Sequence, residues 1–124
     1  MKPSPNSKAK QDRRGNLYRF SDLSKAEQIL IRAIQRLGFG NIHNLSVRDG
    51  TPVASPPPEV IQDIKLGTES SGIEAPQADF VLKSKQVNLI KITRETRNGV
   101  LHSIVVSGGL PVHVKKLGDS KIWA

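Results

Sequence analysis

The chain is predicted to have an α+β fold: two helix-hairpin (αββ) repeats form a small antiparallel sheet with helices, behind a disordered basic N-terminal tail. Three observations lead there. Gly40 to Val53 reads GNIHNLSVRDGTPV and Gly99 to Val112 reads GVLHSIVVSGGLPV, so a shift of 59 residues superposes a Gly, a His, a Val, a second Gly, a Pro and a Val as identities. Self-similarity of this kind marks a duplicated structural unit. Asp49-Gly50 and Gly108-Gly109 fall at the same place in the two copies, and such pairs favour the two-residue turn that needs positive φ at both positions. Ahead of the first copy, Ser24 and Glu27 form a capping box, a helix-start signature.

Residues 1 to 20 are rich in Lys, Ser, Pro, Asn and Gln and poor in large apolar side chains. Such a segment cannot offset the entropy of ordering, so a mobile tail is expected, its end docked by Tyr18 and Phe20. From Ser24, the apolar residues Ala26, Ile29, Leu30, Ala33, Ile34 and Leu37 recur at three-and-four spacing until Gly38, where a left-handed cap belongs; this predicts an amphipathic helix over 24–37. Ile42 to Val47 then alternates, and Val53 and Ala54 return after the turn, giving the first hairpin.

SPPPEVIQDIKLG, beginning at Ser55, opens as polyproline and continues through Val60, Ile64 and Leu66, a pattern open to a short strand or a helical turn. Residues 77 to 97 hold Phe80, Val81, Leu82, Val87, Leu89, Ile90 and Ile92 spread around the helical wheel. The repeat nevertheless places a helix there, with Pro76 and Asp79 as its start. Leu101 to Val106 and Leu110 to Val114 make the second hairpin. Pro52 and Pro111 follow the two turns, where a missing N–H is tolerated only on an outward side, so the return strands are expected at the sheet edges. An uninterrupted register sets Ile104 opposite His113 and Val105 opposite Val112. It gathers Leu101, Val105, Val112 and Val114 on one face, and in the first copy His43, Leu45, Val47, Pro52 and Ala54 on the other. A four-stranded sheet, covered on both sides or shared with a second subunit, would reconcile the two. Residues 21–124 then form a single domain of two repeats, 21–54 and 77–116, joined by a Pro-rich acidic linker, 55–76.

The stretch from Ile29 to Val53, above all LGFGNIHNLSVRDGTPV, resembles a family of very short bacterial domains of unknown function. Their pattern is a helix, an aromatic-Gly pair, alternating Ile or Val, then Asp-Gly and a return strand. Phe39-Gly40 and Asp49-Gly50 match it, whereas the second copy has Asn98-Gly99 and Gly108-Gly109. The resemblance implies a fold and no activity.

Length and composition bound the function. At 124 residues the chain suits one modest core. It contains no cysteine, which removes disulfides, thiolate metal sites and thiol nucleophiles. The amino terminus is basic without a following apolar run, so no secretory signal is expected, and no stretch approaches the ~18 apolar residues of a membrane span; the expected place is the cytoplasm. Net charge is +8 and segregated: residues 1 to 20 hold six cations against one anion, residues 55 to 79 one against five, and residues 80 to 116 seven against one. Such segregation points to a polyanion partner or to attraction between tail and linker.

No catalytic or cofactor constellation stands out. Gly38-Phe39-Gly40 leaves a helix and enters a strand, the reverse of the order a phosphate loop needs. His43 and His102 are repeat-equivalent, and His113 is expected diagonal to His102. A metal site asks for three or four ligands, however, and no supporting HxH or ExxH spacing occurs, so the histidines read as strand residues. No GxSxG elbow or paired carboxylates surround Ser, His and Asp, and an enzyme is not expected. The functional candidates are cations: Lys8, Lys10, Arg13 and Arg14 in the tail, then Lys83, Lys85, Lys91, Arg94, Arg97, Lys115 and Lys116. Spacing of three at 91, 94 and 97 sets those charges near one helical face, where they can follow phosphates. Aromatics make up 4% of the chain, too few for base stacking along a single strand, so nucleic-acid binding is expected to be electrostatic and nonspecific. The alternative is a protein-interaction or homo-oligomerisation module with exposed hairpin edges.

Overall fold

The computed structural model describes residues 19–67, 78–118 and Ile122. Two helices, α1 (Lys25–Leu37) and α2 (Ser84–Thr96), pack on one face of a five-stranded antiparallel sheet made of β1 (Phe39–Arg48), β2 (Thr51–Val53), β3 (Glu59–Gln62), β4 (Gly99–Ser107) and β5 (Leu110–Lys116). The strand order is β2-β1-β4-β5, with β3 resuming the β2 edge farther along β1. The α+β expectation therefore holds, with one strand more than the four anticipated. Residues 59–62 of the expected linker form it. Tyr18 and Pro76 lie outside the described residues.

Helix α1 starts as its capping box dictates. The Ser24 N–H donates to Glu27 Oε1 at 2.9 Å and the Ser24 hydroxyl accepts from the Glu27 N–H at 3.2 Å, satisfying two end groups reciprocally. Gly38 ends the helix at φ +76°. Helix α2 begins at Ser84, not near Pro76 and Asp79. The Lys83 N–H donates to Gln86 Oε1 at 2.8 Å. Asp79 is held instead by Arg19 Nε at 2.8 Å and by the Ser21 N–H at 2.9 Å, and the Arg19 guanidinium beside it lowers its carboxyl to about 2.

Both turns close as expected, with Asp49 and Gly50 at φ +52° and +73° and Gly108 and Gly109 at +61° and +77°. The faces do not follow uninterrupted alternation. Asn44 sits at φ +59°, so Ile42 and Leu45, three residues apart, are both buried, as are Leu101 and Ile104 opposite them. The ladder carries no pair between Asn44 and His102. Because both central strands reverse at the same level, their partners stay in register. A second irregularity, between Val105 and Val106, sets His113 opposite Val105 and Val114 opposite Ile104. The expectation of two faces served by different hairpins is thus corrected. Ile42, Leu45, Val47, Leu101, Ile104 and Val106 form one core face under Leu30, Ile34, Leu37 and Leu89. Val112 is exposed, and His43 lies opposite Ser103 away from that core.

A second cluster lies on the outer side of the helices, where Phe20, Leu23 and Leu82 cover Ile31 and Ile90. Phe20 stacks on Phe80 with ring centroids 5.0 Å apart, and the Arg32 guanidinium lies 4.2 Å over the Phe20 ring. The backbone bridge between Arg19 and Val81 ties these two pre-helix segments together. Helix α2 is consequently buried on two sides, which is why its apolar residues formed no single stripe.

Each hairpin turn closes the end of the helix that precedes the other hairpin. The Gly50 N–H donates to the Arg97 carbonyl at 2.8 Å, and the Gly109 N–H donates to the Gly38 carbonyl at 2.9 Å. Terminal helix carbonyls need such partners. A fragment of residues 21–66 would retain the Gly50 donor without its acceptor and the Gly38 acceptor without its donor, beside half a sheet. That fragment is expected to be unfolded or to associate, by circular dichroism and sedimentation; a cooperative thermal transition of the monomeric fragment would contradict this.

Candidate nucleic-acid interface

The register gathers cations at one end of the sheet. Strand β1 runs toward its turn at Arg48, where Val47 opposes Gly99, the start of β4. Arg97, at the end of α2, lies beside that turn through its carbonyl bond to Gly50. Strand β5 finishes at the same end, with Lys115 opposite Ser103 and Lys116 opposite Leu101. Lys116 Nζ reaches Thr96 Oγ1 at 3.4 Å, in the last turn of α2. Arg48, Arg97, Lys115 and Lys116 are all exposed, and among the described residues Asp49 and Glu95 are the exposed acids at that end. The C-terminal pole of α2 favours nearby positive charge.

Of the candidate residues, the structure brings Arg97, Lys115 and Lys116 together, and it adds Arg48. That residue stands alone in the sequence between Val47 and Asp49 and carries no local signal; only the β1–β4 register places it here. Lys83 and Lys85 are exposed at the start of α2, the opposite end of the layer. Lys8, Lys10, Arg13 and Arg14 lie outside the described residues.

The expected row of Lys91, Arg94 and Arg97 along one helical face is not formed. Lys91 is half-buried, and Arg97 lies beyond the helix at φ +62°. Arg94 closes a two-bond fork on Glu27, Nε to Oε2 at 2.8 Å and Nη2 to Oε1 at 2.9 Å. The Glu27 side chain is 4% exposed and that of Arg94 37%. Burial alone would push the Glu27 carboxyl up, yet the hydrogen bonds from Arg94 and from Ser24 together outweigh it and hold Glu27 below its ordinary range. The same pairing raises Arg94. Arg94 thus joins the start of α1 to the end of α2.

His43 is half-buried, His102 and His113 are exposed, and His113 opposes Val105 rather than Ile104. Among the described residues, no three His, Asp or Glu side chains come together as a metal site, and no helix is long and apolar enough to cross a membrane. Fold and site define a small α+β protein with a basic sheet end. Comparison with protein-family models, with curated proteins and with solved structures gives no match.

Proposed function

We propose that this protein is a small non-enzymatic binding protein that holds nucleic acid through phosphate contacts, weakly and without sequence preference. The observation that carries this reading is the convergence of Arg48, Arg97, Lys115 and Lys116 at one end of the sheet. Guanidinium and ammonium groups neutralise phosphates and release condensed counterions. The basic residues of the tail, Lys8, Lys10, Arg13 and Arg14, add further positive charge to the chain in this reading. We also read the architecture as two αββ units. The 59-residue sequence shift relates α1 to α2 at both ends, and it relates the Gly50 and Gly109 contacts on the opposite helix termini.

Fluorescence anisotropy with a labelled duplex, repeated over a salt series, tests the binding. Each phosphate contact contributes about −0.9 to the slope of log K against log salt, so four contacts give roughly −3.6. Charge reversal at Arg48 and Lys116 together is expected to flatten the slope by about 2 units on the same basis, whereas reversal at Lys83 and Lys85 leaves it nearly unchanged. The reading fails if the chain binds neither duplex nor single strand at low salt.

A further inference from the structure

The sheet has two edges, and they are not equally protected. Strand β5 carries Pro111, Lys115 and Lys116 and an irregular register, and β2 is three residues long with Pro52 at its centre. Proline, lysine, irregularity and short length are the usual means by which an edge is kept from pairing with another chain. Strand β3 has no proline or lysine within it and its ladder to β1 is regular. Val60 is 55% exposed, Ile61 46%, Ile64 71% and Leu66 90%, and among the described residues no strand pairs with the outer side of β3, so this edge combines open backbone groups with uncovered apolar side chains.

The direction of those backbone groups follows from one contact. The Asp63 N–H donates to the Phe39 carbonyl at 2.7 Å, so Asp63, and by alternation Ile61 and Glu59, bond inward to β1. Val60, Gln62 and Ile64 direct their N–H and C=O groups outward. Only registers that set outward residues opposite outward residues can form. Centring a two-fold axis on Ile61 places Glu59 opposite the Asp63 of a second copy, two like charges face to face, which is destabilising. Centring it on Gln62 places Glu59 opposite Lys65, Val60 opposite Ile64 and Gln62 opposite its own counterpart, and each of the first two pairs occurs twice.

We propose that β3 is a self-association edge, and that its partner is the β3 strand of a second copy, paired antiparallel about Gln62 so that two five-stranded sheets become one. Charge complementarity selects this register: two Glu59 to Lys65 contacts and two Val60 to Ile64 contacts flank the axis. The pairing is isologous and closes at two subunits. It leaves the basic end of each sheet uncovered, since β3 pairs with Gly40 to His43, away from Arg48, and it does not depend on the nucleic-acid reading.

Sedimentation of the full chain tests the proposal, with circular dichroism as the check on folding. The chain is expected to sediment at twice its monomer mass. Val60→Lys should leave monomer alone. Glu59→Lys and Lys65→Glu should each weaken the dimer by about tenfold, because each turns both symmetric pairs repulsive, and the double exchange should restore it. Since the chain has no cysteine, Gln62→Cys supplies a clean crosslink. Hydrogen-bonded antiparallel partners lie ~5.5 Å apart at Cα, within disulfide reach, so a covalent dimer should form on oxidation. A chain that stays monomeric at every concentration overturns the proposal. So does a dimer that survives Val60→Lys, a charge exchange that fails to rescue, or a ladder of larger species.

Discussion

Gly40→Ala is expected to be the most damaging small substitution in this chain. A Cβ at Gly40 would lie 2.0 Å from the carbonyl oxygen of Ile61, with the Cα of Gln62 at 3.0 Å. Both are backbone atoms of β3, so no side chain can swing aside. The residue is also at φ +150°, a conformation that L side chains rarely adopt. Either β1 distorts or β3 is expelled. A loss of about 3 kcal/mol is expected, at the upper end of ordinary single substitutions, read as a fall in the thermal midpoint on the order of 10 °C. Hydrogen exchange should show Ile61 and Asp63, whose N–H groups face β1, losing protection first. A variant as stable as the parent, with β3 still protected, would refute this account.

Removing Arg94 is expected to come close behind. In Arg94→Ala the Glu27 carboxylate stays buried with Ser24, through its N–H and its side chain, as its remaining donor among the described residues, and uncompensated buried charge costs about 3–5 kcal/mol. Partial exposure of Arg94 screens the pair, so roughly 2 kcal/mol is a better expectation at neutral pH. The pH dependence follows from the lowered Glu27 carboxyl. A carboxyl whose folded value is depressed contributes stability that is present above its unfolded value, 4.5, and is lost as pH falls through the folded value. In the variant, burial is unopposed by Arg94 and raises that carboxyl, so protonation relieves it. The penalty of Arg94→Ala measured by denaturant titration should therefore shrink as pH drops from 7 toward 4. Glu27→Gln, which keeps the cap acceptor and removes the charge, should be milder than Arg94→Ala at pH 7. Equal penalties at both pH values would sink the argument.

What could be read from the sequence was local. Ser24 with Glu27 specifies a helix start within one turn, and Asp49-Gly50 and Gly108-Gly109 specify turns through two residues each, so these elements follow from neighbours along the chain. The sheet faces do not, because a single left-handed residue, Asn44, shifts every side chain beyond it by one step. Nothing near Asn44 in the sequence announces that shift. Strand β3 was ambiguous because all four of its residues are exposed and so show no alternation. The candidate site was legible in part: Lys115, Lys116 and Arg97 stand out as charges. The recruitment of Arg48 and the diversion of Arg94 to Glu27, 67 residues away, are set by the tertiary register.

The central β1–β4 ladder has a kinetic consequence. Its partners lie 52 residues apart in the chain at Val47 and Gly99 and 68 apart at Phe39 and Ser107. The β4–β5 hairpin can form early through its tight turn, but the middle of the sheet requires closing a long loop before any pairing enthalpy is returned. Domains dominated by such distant pairings fold in milliseconds to seconds rather than microseconds. During that interval β1 offers a bare strand to whatever reaches it first, and the short way for β3 to arrive is along its own chain. Placing β3 between the two halves in sequence thus sets His43 and its partner Glu59 only 16 residues apart in the chain, a far shorter loop than the β1–β4 ladder must close.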